Sequence, residues 1–259
     1  MYFTNSVLAL AALAGSVSAH TLMNSVEVNG QDQGEGKSTY IRSPPNNNPV
    51  KDLTSPDLAC NVNGGKPVSD FVKAAAGDTL AFVWMHNKPD DDIIAESHKG
   101  PVITYIAPYT DDAGAEAVWT KIAEDGFDGQ QWAVDRLIAN KGKAEFKLPQ
   151  SLKAGKYLVR QEVIGLHEAN DAYTDDSARG AQFYPSCVQV EVSGSGDAVP
   201  NQDFDFNKGY TYQDPGIVFD IYAKNKTLDY KIPGPDVWSA AAGNAKRSLR
   251  IKGRVAGQV

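Results

Sequence analysis

The sequence predicts an all-β domain, an antiparallel sandwich with long loops and short helices. Two observations lead there: short apolar runs recur along the chain between turn residues, and only one short stretch has a helical pattern. The runs are Thr79 to Met85, Val102 to Ala107, Ala144 to Leu148, Tyr157 to Leu166, Ala181 to Val192 and Ile217 to Tyr222. Each reads as a strand, because turn chemistry such as Ala76-Gly77-Asp78, Lys99-Gly100-Pro101, Ala154-Gly155-Lys156 or Asp214-Pro215-Gly216 bounds it. The helical patch spans Gln131 to Asn140. The segments Asp32 to Ala59, rich in Pro and Asn, and Glu168 to Arg179, rich in acids, read as long functional loops.

Residues 1–19 read as a signal peptide. The apolar run Val7 to Ala14 is too short to span a bilayer, and small residues at Val17 and Ala19 fit cleavage after Ala19. The expected products are a secreted, extracellular catalytic-size domain over residues 20–238 and a basic tail over residues 239–259, expected to be disordered. The tail carries Lys246, Arg247, Arg250, Lys252 and Arg254 and no acid, whereas the chain as a whole has net charge −7. That acidity argues against nucleic acid or an anionic membrane as partner. Asn225-Lys226-Thr227 is an N-glycosylation sequon.

Cys60 and Cys187 are the two cysteines, read as one disulfide in an oxidising compartment or else as two free thiols. The four histidines differ in what they offer. After cleavage, the α-amino nitrogen and Nδ1 of His20 can close a chelate ring on one metal ion. A second imidazole opposite would complete a nitrogen-rich set that suits Cu(II). Position alone leaves open whether His20 is a ligand or an accident of processing. His98 precedes a strand in a loop, a placement from which binding side chains project. His86 reads as a partly exposed strand-end residue, and His167 as structural or near a site. Gln182 and Tyr184, two apart, share one face of their strand. Tyr184 reads either as a metal's axial group or as a phenol bonded to backbone. Asp90-Asp91-Asp92 and Asp175-Asp176 read as solvated charge rather than as the facing carboxylates that glycoside hydrolysis requires. A non-catalytic copper- or carbohydrate-binding sandwich is the other alternative.

Several segments, in order, resemble the fungal lytic polysaccharide monooxygenases of auxiliary activity family nine, formerly glycoside hydrolase family sixty-one. They are the Ala19-His20 junction, Pro44-Pro45-Asn46-Asn47-Asn48-Pro49-Val50 leading to Cys60-Asn61, and Ser97-His98-Lys99-Gly100-Pro101-Val102. Leu158-Val159-Arg160-Gln161-Glu162, Leu166-His167, Gly180 to Cys187, Asp214-Pro215-Gly216-Ile217 and Pro233 to Trp238 follow.

The resemblance implies an immunoglobulin/fibronectin-III-like sandwich holding one copper ion per chain on His20 and His98, with Tyr184 axial. His167 and Gln182 would hydrogen-bond to bound oxygen or water beside it. Cys60 and Cys187 match the family's disulfide, and Tyr210 a loop tyrosine of the flat face that meets polysaccharide. The implied activity is oxidative cleavage of β-1,4-glucan such as cellulose, at carbon 1 or carbon 4, with O2 or H2O2. The electron donor would be a small reductant or a cellobiose dehydrogenase-like protein, and the enzyme a monomer. Three features depart from the family pattern. His167 and Gln182 are 15 positions apart, with the acidic loop between them, where relatives have a shorter link. Gln161 stands where many relatives carry a histidine that is not a ligand. No cysteine-rich cellulose-binding module follows the domain.

Overall fold

The structure is a computed structural model and describes residues 20–114, 116, 118–223 and 229–241. The expected signal peptide, the sequon residue Asn225 and most of the basic tail therefore lie outside the described residues. Two sheets stack face to face. The first has the order β2 (Gln31–Glu35), β1 (Leu22–Val28), β4 (Thr79–Met85), β7 (Lys143–Lys147) and is antiparallel throughout. The second has the order β3 (Val72–Ala75), β9 (Gln182–Ser193), β8 (Gly155–Gly165), β5 (Val102–Pro108), β6 (Thr120–Asp125). One pair departs from the antiparallel expectation: β3 runs parallel to β9. The helices are short: α1 (Asp57–Cys60), α2 (Ala133–Ala139) and α3 (Phe206–Gly209).

Alternation builds the core between the sheets. Leu80, Phe82 and Trp84 of β4 face Val159 and Val163 of β8 and Val188, Val190 and Val192 of β9 across it. β8 and β9 are buried on both faces, which is why they read as nearly continuous apolar runs. Their other faces, carrying Leu158, Ile164, Phe183 and Cys187, lie under loops together with Leu53, Leu58, Trp119, Phe204 and Phe206. The disulfide Cys60–Cys187 spans 127 residues of sequence and pins α1 to β9 under this roof. Arg160 reinforces it: its Nε donates to the Ala59 carbonyl and its Nη2 to the Leu58 carbonyl, at 2.6 and 2.8 Å. Gln161, on the opposite face of β8, is a core residue that accepts from Trp84 Nε1 and donates to Thr104 Oγ1.

Two expectations change here. Ile217 to Tyr222 forms turns rather than a strand; the Ile217 and Val218 amides both donate to the Asp214 carbonyl. The domain also runs past Trp238, because Ala241 is buried in the core between the sheets.

Candidate metal centre

His20 lies two residues before β1, His98 in the turn before β5, and Tyr184 and Gln182 at the start of β9. The fold brings all four together, with His167 beyond the end of β8. Pairing of Val163 with Tyr184 and Gly165 with Gln182 sets the end of β8 beside these side chains. The three rings of His20, His98 and Tyr184 stand at nearly equal separations. Their centroids are 6.2 Å apart for His20 and His98, 5.9 Å for His20 and Tyr184, and 6.1 Å for His98 and Tyr184. His167 lies against His98 at 3.9 Å.

Two glycines make this packing possible. A Cβ on Gly100 would meet the Ile164 carbonyl oxygen at 1.8 Å, so only glycine lets the His98 turn press onto β8. At Gly165 a Cβ would crowd both the His98 and His167 rings, at 3.2 and 3.4 Å.

The electrostatics favour neutral donors. Burial, helped by the nearby His167 and His20, lowers the His98 pKa to about 3, with the neighbouring Gln182 side chain opposing. Burial also lowers His167, against the Glu168 carboxylate, and lowers His20, with His86 adding to the effect. Burial raises the Tyr184 phenol well above its ordinary value, and Glu168 adds to this. Tyr184 donates to Gln182 Oε1 at 2.6 Å, and Gln182 Nε2 donates to Glu168 Oε2 at 3.1 Å.

A metal fits these residues. His98 is 2% exposed, and its Nε2 is buried without a hydrogen-bond partner, a costly state for a ring nitrogen that a metal would relieve. An imidazole nitrogen binds a divalent ion at about 2.0 Å and its ring centre lies about 1.1 Å further, so opposed rings sit about 6 Å apart. The His20–His98 separation has that size.

Other predicted residues are placed differently. Tyr210 is 2% exposed: it donates to Glu162 Oε1 at 2.6 Å and shares a 2.8 Å hydrogen bond with Tyr105. It is a core residue under the loop roof and cannot form part of a surface that meets polysaccharide. His86 is buried, not partly exposed, with Nδ1 at 2.7 Å from Asp92. Asp91 is not merely solvated charge, since it accepts from the backbone amides of His86, Asn87 and Lys88. The group His86, Asp91 and Asp92 thus holds a turn together, and its ligand atoms also lie close enough to one another to make it a candidate cation site. The sequence reading missed Glu168, whose only signal was its place beside His167.

The family model for Auxiliary Activity family 9 (formerly GH61) matches residues 20–230. A lytic polysaccharide monooxygenase of that family from Collariella virescens is 57% identical over 236 residues, covering 89% of this chain and 85% of the relative. One from Schizophyllum commune is 46% identical over 247 residues, covering 93% and 98%. The solved structure named CvAA9A matches with a TM-score of 0.83 at 57% identity, over 85% of this chain and 99% of that one. Cel61B of Hypocrea jecorina, a glycoside hydrolase family 61 member, matches with a TM-score of 0.71 at 28% identity over 85% and 100%. The chain therefore belongs to Auxiliary Activity family 9 and is a monooxygenase that cleaves polysaccharide oxidatively.

Proposed function

We propose that this enzyme is secreted, that His20, His98 and Tyr184 would hold one copper ion, and that it cleaves cellulose or a related β-1,4-glucan. The observation that carries the reading is the mutual approach of the three rings, together with the buried, unpartnered Nε2 of His98. Copper, when bound, supplies one-electron redox chemistry with O2 or H2O2, driven by an external reductant and directed at carbon 1 or carbon 4.

The protein's own contribution is to hold neutral donors in a rigid arrangement. The lowered pKa of His98 keeps its imidazole free of protons and ready to bind a metal. Tyr184 stays a phenol, because burial opposes its ionisation. Gln182 orients that phenol through its hydroxyl, and His167, packed on His98, holds the ligand ring in place. Cleavage after Ala19 converts the His20 backbone nitrogen from an amide into an amine that can bind metal.

The test uses protein with its native cleavage site, loaded with copper and incubated with amorphous cellulose and ascorbate. Mass spectrometry should find aldonic acids or keto-sugars. Absence of oxidised products from cellulose, xyloglucan and glucomannan alike would overturn the assignment. A second preparation with one extra residue before His20 should lose copper affinity and activity together.

A further inference from the structure

We propose that Glu168 is a positioning residue: it dictates which end of the Gln182 amide faces Tyr184, and so makes the Tyr184 hydroxyl a hydrogen donor with its oxygen lone pairs left for the metal. The inference rests on the proposed reading of His20, His98 and Tyr184 as the metal centre.

A glutamine amide has a donor end and an acceptor end of nearly the same shape, and only its partners decide how it sits. Facing Tyr184 alone, Gln182 could be placed either way round, because a phenol both donates and accepts. Glu168 breaks the tie. A carboxylate accepts and does not donate, so the amide end at 3.1 Å from Glu168 Oε2 must be the NH2 group. The Gln182 oxygen then faces Tyr184 Oη at 2.6 Å and must accept its hydrogen. Turning the amide over would set two oxygens against each other at Glu168 and lose a charge-assisted hydrogen bond in a buried place, since Gln182 is 7% exposed. It would also aim an N–H at the Tyr184 oxygen, where it competes with a metal for the same lone pair.

Glu168 is itself held in place. Its carbonyl accepts from the Gly180 amide at 2.8 Å, which closes the neck of the acidic loop. On the next residue, the Ala169 amide donates to the Leu166 carbonyl and the Ala169 carbonyl accepts from Phe219. Gly180 has φ +101°, and a Cβ there would meet Tyr173 at 2.9 Å, so the neck depends on glycine. The closed neck of this loop thus sets the Glu168 carboxylate beside the Gln182 amide.

The test compares wild-type, E168Q, E168A and E168D proteins loaded with Cu(II), read by electron paramagnetic resonance before any turnover. Wild type should give one axial species with nitrogen coupling. E168Q, which can accept or donate, should show a shifted or second species as Gln182 turns over, with copper stoichiometry unchanged and kcat down about tenfold. E168A should behave similarly, and E168D should return toward the wild-type spectrum. Spectra of E168Q and E168A identical to wild type would overturn the proposal. Should the variants not fold, the copper-free wild type decides by NMR. Contacts from the Gln182 NH2 protons to the Glu168 methylenes support the proposal, and contacts to the Tyr184 ring instead defeat it. If wild type itself shows no nitrogen-coupled Cu(II), the metal-centre reading falls and this proposal with it. If only the variant comparison fails, the metal centre stands without it.

Discussion

The His167 ring packs against the ring of His98 with centroids 3.9 Å apart and planes inclined by 33°. Of the rings grouped here this pair is the tightest, so His167 braces the His98 ring. Replacing His167 with alanine should therefore leave copper binding largely intact while loosening His98. Turnover should fall about 10- to 100-fold, the usual effect of losing a group that orients a ligand. Calorimetric copper titration and the initial rate of oxidised product release check the two halves separately.

The lowered imidazole pKa values predict how the metal-free protein responds to acid. The folded chain keeps His98 neutral down to about pH 3, whereas the unfolded chain takes up the proton near 6.5. The contribution to stability is complete above pH 6.5 and is lost as pH falls toward 3, because the unfolded state binds more protons in that window. Urea midpoints should therefore drop between pH 7 and 5. The slope should be shallower in His98→Leu, and equal slopes in the two proteins would contradict the assignment.

Tyr210 should behave as a stabilising residue. Tyr210→Phe removes a hydrogen bond to a buried carboxylate and leaves Tyr105 short of its partner. The expected cost is about 2 kcal/mol, or roughly 5 °C in Tm for a chain of this size. Adsorption to cellulose should not change, which a binding isotherm on the same variant will test.

Asp91 should likewise matter to stability, not to metal content. Burial alone would raise its pKa, but amide donors, including those of Asn87, Lys88 and His86, outweigh this and hold it low. Asp91→Ala should cost about 1 kcal/mol, as the loss of a helix cap does. Metal analysis should find one ion in this variant, as in wild type. None should remain in His98→Ala, whereas an ion left there would point to the His86 group as its site.

Opening the disulfide should be costlier. Cys187→Ser should lower stability by about 2–5 kcal/mol. Its effect should also spread to the loops over the second sheet, since the bond ties α1 to β9 across 127 residues. Hydrogen exchange in residues 57–61 should rise more than in β4.

Local patterns were legible where they were strong. Thr79 to Met85 is β4 to the residue, and β5, β7, β8, β9 and α2 lie within a few residues of their predicted bounds. Three of the strands that went unread lack the pattern. β2 is exposed at all five positions on a sheet edge, so nothing in it needs to be apolar. A register shift between Met23 and Ser25 breaks the alternation of β1. In β6 the buried Lys121 pairs with Glu124 and donates to the Pro233 carbonyl, so a core position carries a charge.

The sequence by itself determined the sandwich and the pair of cysteines, and singled out His20, His98, Gln182 and Tyr184 as candidates for metal chemistry, because periodicity and ordered motifs are written along the chain. Only the tertiary structure decided what each loop covers. Tyr210 sits under a roof that distant segments build over the second sheet, and Glu168 meets Gln182 because the chain closes at Gly180. Burial and amide orientation depend on partners far apart in sequence, and no local pattern encodes them.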